Sequence, residues 1–175
     1  MSSPPPDQEY VILVNSQDES VGTEEKMRAH QRGVLHRAFS IFLVNSDGQI
    51  LLQLRAATKY HSGGLWSNAA CGHPRPGETT DVAAARRLHE EMGIVCELRE
   101  VDAFVYRAAV TEELTEHEFD HVFLGNWSGS PTPNPEEVES WAWRDAADID
   151  RDLAGSAGQF SAWFSQAWAV ASAKL

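Results

Sequence analysis

Apolar positions along the chain follow two rhythms, and the switches between them mark the elements. Residues 10–14 (YVILV) form a short apolar run that predicts a strand, and the turn-rich 15–22 follow it. Residues 23–30 carry one or two helical turns, with Thr23 as the N-cap. Residues 36–45 read as a second strand, Ser46 to Gly48 as a hairpin turn, and 49–55 as the returning strand. The rhythm then stops. Residues 56–77 are rich in Gly, Pro, His and Ser, and a long irregular stretch inside a domain usually serves function. Helical spacing resumes over 78–92, where Val82, Ala85, Leu88 and Met92 recur at three- and four-residue steps and Gly93 supplies the stop. Residues 94–106 and 116–127 carry strand pattern, 128–135 a loop, 140–144 a short strand, and 145–153 and 159–173 helices. Neither a repeat nor a linker divides residues 9–175, so one domain is expected. Residues 1–8, with three prolines in a row, read as a disordered tail. Mixed strands and helices predict an α+β fold built as an α/β/α sandwich around a mixed sheet.

Composition narrows the picture. The 175 residues are 42% hydrophobic and 23% charged, enough for a sizeable core. There is no apolar run long enough to span a bilayer and no basic-then-apolar leader, so a cytoplasmic protein without a membrane partner is expected. Cys71 and Cys96 are too few for a disulfide framework. A net charge of −12 disfavours nucleic acid as a partner. The charge is uneven, however. Residues 26–87 hold nine basic side chains against three acidic ones, a net +6 that suits a small anion as well as it suits a solvated surface.

Candidate chemistry clusters around the helix at 78–92. Gly72 is followed by five residues and Glu78, then seven residues and Arg86-Arg87-Leu88, then Glu90-Glu91 and Gly93-Ile94. Arg87 and Glu91 share a helix face, as Arg86 and Glu90 do. Such a face can hold a divalent cation and a diphosphate together, or simply pair its own charges. Downstream, Glu116 and Glu118 point to one side of a strand. Two carboxylates on one face, opposite histidines, would make a divalent-metal site. His61, His89, His117 and His121 are assigned to ordinary surface or core positions. Cys71, beside His73 and within the positive region, is expected to have a lowered thiol pKa and to give or take a proton; the alternative is a small buried hydrophobe, the role assigned to Cys96.

The glycine–glutamate–arginine spacing resembles the Nudix box, with one departure: hydrolases carry Glu where this chain has Arg87. The segments SNAACGHP, TEHEFD, FVYRA and FSAWF, with the Arg-Arg form of the box, resemble type I isopentenyl-diphosphate isomerases from about Glu9 to Trp168. The resemblance implies a Nudix fold and interconversion of isopentenyl and dimethylallyl diphosphate through a tertiary carbocation. It implies Cys71 and Glu118 as acid and base, Tyr106 assisting at the Glu118 side, and Trp163 stabilising the cation. It further implies Mn²⁺, Mg²⁺ or Zn²⁺ on His30, His36, His73, Glu116 and Glu118. A second Mg²⁺ would sit on Glu91 with the diphosphate, and Lys26, Arg55, Lys59 and Arg87 would meet the anion. A monomer or weak dimer is expected. The alternatives are a Nudix hydrolase of a diphosphate-containing metabolite, which Arg87 opposes, and a non-catalytic diphosphate binder, which the joint presence of Cys71, Tyr106 and Glu118 opposes.

Overall fold

The computed structural model describes residues 9–175, so the tail expected at 1–8 lies outside the described residues. Nine strands and four helices follow in the order β1 (Tyr10–Val14), β2 (Ser20–Glu25), α1 (Lys26–Arg32), β3 (His36–Val44), β4 (Ile50–Arg55), β5 (Trp66–Ser67), β6 (Ala70–Gly72), α2 (Thr80–Met92), β7 (Leu98–Ala109), β8 (Thr115–Asn126), β9 (Val138–Arg144), α3 (Ala146–Ser156) and α4 (Phe164–Ser172). Among the described residues, no helix is long and apolar enough to cross a membrane.

The sheet is mixed and centred on β3. That strand runs parallel to β8 from His36↔Glu118 to Val44↔Asn126 and antiparallel to β6. Alternation along β3 and β8 separates two apolar layers. Phe39, Ile41, Leu43 and Phe123 face α2, packing on Ala83, Ala84, Leu88 and Met92. Phe42, Val122 and Leu124 face the other side, against Phe164, Ala167 and Trp168 of α4 and Ile149 of α3. Each layer removes a full set of large side chains from water, at roughly 1.5–3 kcal/mol per side chain. The arrangement is the α/β/α sandwich expected from the pattern.

Several boundaries move. Residues 20–25 form β2, which pairs with β1 at Ile12↔Thr23, so Thr23 is a strand residue and not a helix cap. The β-branched Val21 and Thr23 favour that pairing. The cap of α1 is Glu25, whose carboxylate accepts from the backbone N–H groups of Met27 and Arg28, both at 2.9 Å. The stretch 56–77 contains β5 and β6, too short to show a period. Helix α2 starts at Thr80, because Glu78 is already committed to Arg86 and to the Arg75 N–H. It ends at Gly93, in the left-handed region at φ 66°, where an added Cβ would collide with Thr132 Oγ1. Helix α4 begins only after Trp163, since Phe160 bridges to Trp66 and the Ser161 N–H donates to the Trp66 carbonyl.

Candidate active site

Sheet register assembles the site. The pairs His36↔Glu118 and Tyr106↔Glu118 set three side chains in a row across β3, β8 and β7. Alternation along β8 puts Glu116 and Asp120 on the same side as Glu118, and all three are buried. The Tyr106 hydroxyl donates to Glu118 Oε2 at 2.6 Å and lies 3.0 Å from Glu116 Oε2. From β6, Cys71 pairs with Ser40 of β3. Helix α1 delivers His30, and the loop after β6 delivers His73, whose Nε2 is 2.9 Å from Glu118 Oε1.

The histidine orientations are set by backbone carbonyls. His30 Nδ1 donates to the Lys26 carbonyl at 2.7 Å and His36 Nδ1 to the Val34 carbonyl at 2.8 Å. Both Nε2 atoms are therefore left to face Glu118, at 3.9 and 3.4 Å, and neither buried atom has a hydrogen-bond partner among the described residues. Orphaned imidazole nitrogens with second nitrogens locked by carbonyls are what a divalent-metal site requires. Burial lowers the His30 pKa to about 4 and that of His73 to about 3, so both rings are neutral, the ligating form. The donors fall into two overlapping groups, His30–His36–His73–Glu118 and His30–His61–Glu116. The five side chains expected to form one metal set are thus adjacent, but Glu116 leans away toward His61.

His61 is the residue the sequence reading missed. It is buried, and its Nε2 lies 3.0 Å from Glu116 Oε1. Its segment shows no periodicity, and nothing nearby in sequence pointed to Glu116. Asp120 and Gln53 were also missed, although both left a signal. Asp120 continues the alternation of Glu116 and Glu118 and accepts from Ser40 Oγ at 2.8 Å. Gln53 is a lone amide inside an apolar strand, and its Nε2 donates to Glu91 Oε2 at 2.7 Å.

The carboxyl pair is split electrostatically. Burial raises Glu116, with the charge of Glu118 adding to the effect. Burial acts to raise Glu118 too, but His36 and His73 outweigh it and hold that group well below the usual carboxylate range. Two neighbouring acids with separated proton affinities suit acid–base work. Cys71 departs from expectation. Burial pushes its thiol up to about 12, against the lowering influence of Arg55. The reason is burial, which outweighs the two cations that act on the sulfur, Arg55, with its Nη1 3.7 Å away, and Lys59, while Glu91 and Glu118 add to the rise. Cys71 is therefore an undissociated thiol.

The cavity that Cys71 and Glu118 share also takes in Lys26, Arg55, Lys59, Arg87 and Glu91. Three of the four cations are engaged: Lys26 with Glu9, Lys59 with Glu137, and Arg87 with Glu91, Glu90 and Glu137. Gly72 makes room for Arg87, since a Cβ there would stand 3.2 Å from Arg87 Cγ. Glu91 is held at both oxygens, by Arg87 at 2.6 Å and by Gln53. Arg55 differs. It is buried, no carboxylate pairs with it among the described residues, and its Nε has no partner. Its guanidinium stacks 5.1 Å above the Trp163 ring, which is itself fixed by Nε1 donating to Asn68 Oδ1 at 3.0 Å.

The NUDIX domain family matches residues 34–164. Isopentenyl-diphosphate Delta-isomerase 1 of Aromatoleum aromaticum is 54% identical over 156 residues, covering 89% of this chain and 88% of that protein. The isopentenyl-diphosphate Delta-isomerase of Serratia proteamaculans is 51% identical over 156 residues, covering 89% and 87%. Among solved structures, DR0079 from Deinococcus radiodurans aligns with a TM-score of 0.69 at 25% identity, over 84% of this chain and 90% of that one. The MutT protein of Methanosarcina mazei aligns at 0.64 and 19% identity, over 80% and 94%, a likeness of fold alone. With its α2 box, its carboxylate–histidine row and relatives matched over nearly their whole length, the chain belongs to the isopentenyl-diphosphate Delta-isomerase family within the NUDIX fold.

Proposed function

We propose that the chain interconverts isopentenyl diphosphate and dimethylallyl diphosphate by adding a proton to the alkene and removing another from a neighbouring carbon. The observation that carries this reading is one cavity lined by the Cys71 thiol, the Glu118 carboxyl and a buried guanidinium, Arg55, with no carboxylate partner among the described residues. Arg55 meets the diphosphate, and Lys26, Lys59 and Arg87 join it by exchanging their carboxylate partners for phosphate oxygens. Cys71 and Glu118 divide the two proton transfers. Tyr106, donating to Glu118 at 2.6 Å, carries a proton to and from that side. An alkene is a weak base and its protonation yields a tertiary cation, so water must be kept out and the cation faced by an aromatic surface. Trp163 supplies that surface, and its indole is held in place by Asn68.

His30, His36, His73 and Glu118, with Glu116 beside them, would hold a divalent cation; the orphaned Nε2 atoms of His30 and His36 fit that role. When bound, the ion supplies a fixed positive charge that sets the acidity of the Glu118 carboxyl. Glu91, a buried hard-oxygen donor, suits Mg²⁺ shared with the diphosphate. A cytoplasmic, reducing setting keeps Cys71 and Cys96 as the free thiols they are here.

The test is incubation of isopentenyl diphosphate with the protein and Mg²⁺ in D₂O. Deuterated dimethylallyl diphosphate is the expected product. Release of inorganic phosphate or diphosphate without isomerisation would replace this reading with a hydrolase acting on a diphosphate.

A further inference from the structure

His61 has no role in the reading above, yet it is a buried polar side chain, with 5% of its surface exposed. The loop that carries it is closed at its neck by two backbone hydrogen bonds, Arg55 N–H to the Leu65 carbonyl and Gly64 N–H to the Arg55 carbonyl, both at 2.9 Å. Ser62 adopts a left-handed φ of 54°, costly for a residue with a side chain, and its Oγ lies 3.0 Å from His61 Nδ1. The other nitrogen, Nε2, reaches Glu116 Oε1 at 3.0 Å. The imidazole is gripped from a third side by the Trp163 ring, at a centroid distance of 6.1 Å.

We infer that His61 is a positioning residue of the metal centre, holding the Glu116 carboxylate in place and tying it to the loop that presents Arg55 and Lys59. Glu116 has two oxygens, and each has one neighbour from the protein: Tyr106 at Oε2 and His61 at Oε1. Without His61 the carboxylate pivots about its tyrosine contact, and its approach to the His30–His36–His73–Glu118 cluster is no longer fixed. The same segment carries Arg55 at its start, Lys59 within it and, two residues on, the His61 contact to Glu116. Order at the diphosphate end is thereby linked to order at the metal end. Groups that hold a ligating carboxylate are worth 10- to 100-fold in metal affinity when removed.

This inference rests on the metal reading proposed above, and the experiment separates the two. Metal-stripped protein and its His61→Ala and His61→Gln variants are titrated with Mn²⁺ by calorimetry and with Co²⁺ by visible absorption, and their melting is followed without metal. The expected result is a Mn²⁺ dissociation constant raised 10- to 100-fold in His61→Ala. Most of the affinity should return in His61→Gln, whose amide N–H can reach the same oxygen. The saturated Co²⁺ spectrum should match that of the unmodified protein in both. Unchanged Mn²⁺ affinity in His61→Ala, whether or not melting falls, overturns the inference and leaves His61 as packing for the loop. An altered Co²⁺ spectrum at saturation also overturns it, by making His61 a direct ligand. If the unmodified protein takes up neither ion, the metal reading itself fails, and the inference with it.

Discussion

Cys71 illustrates how far a single side chain's setting departs from its sequence neighbourhood. Adjacent cationic residue types suggest a thiolate, whereas burial leaves a thiol at about 12. Its carbamidomethylation by iodoacetamide should therefore quicken by roughly tenfold per pH unit from pH 7 to 10, without levelling off. A plateau below pH 9, seen by peptide mapping, would mean that Arg55 and Lys59 outweigh burial at the sulfur. Cys71→Ala and Glu118→Gln should each lower kcat by about 10⁴ or more, at or beyond the upper end for general acid–base groups, because both transfers are obligatory. Circular dichroism should show both variants folded. Turnover within tenfold of normal in either would remove that residue from the proton path. What could be read in advance at this scale was the set of side chains with the right chemistry. The pairing of His61 with Glu116, 55 positions away, depends on a loop fold that leaves no periodic trace.

Helix α2 was legible because an amphipathic rhythm and two glycines marked it, and its partners on β3 and β8 were legible because long strands alternate. β2, β5 and β6 were not, since strands of two to six residues in turn-rich sequence are fixed by pairing with a neighbour and not by their own pattern. The role of Arg87 was only half visible. Its type suggested a phosphate partner, and the fold shows it bracing Glu91, Glu90 and Glu137 as well. Arg87→Glu would set a fourth carboxylate against those three. The variant should show a KM for isopentenyl diphosphate raised by at least tenfold and a lower melting temperature, without efficient hydrolysis. An unchanged KM would restrict Arg87 to holding the helix. At the end of the same helix, Gly93→Ala should destabilise the protein by more than about 1 kcal/mol in urea unfolding, from the left-handed backbone alone, with the Thr132 approach adding to it. A smaller loss would mean that the turn into 94–97 relaxes freely.

For the molecule as a whole, the buried histidines make stability depend on pH and metal together. His30 and His73 have folded-state pKa values near 4 and 3, below the ordinary 6.5, so the unfolded chain binds more protons and stability rises with pH through that window. His36, Glu116 and Asp120 are raised and work in the opposite sense, their contributions fading as pH climbs past their folded values. Mn²⁺ should raise the melting point at pH 7 and do so less at pH 5, because His36, whose folded pKa is raised, is then more fully protonated and must lose its proton to bind the ion. An equal increment at both pH values would place the ion away from the histidines. A different consequence follows from the pairing of β3 with β8. Because His36 lies against Glu118 through strand register, a slip of one residue would turn Glu116, Glu118 and Asp120 into the apolar layer under α2 and offer His117, Phe119 and His121 to the cavity. No folded chain could survive three unpartnered carboxyl groups in that layer. Damaged batches or weakened variants should therefore contain fewer competent molecules and not poorer ones, and the turnover of each surviving molecule should stay constant while the yield falls.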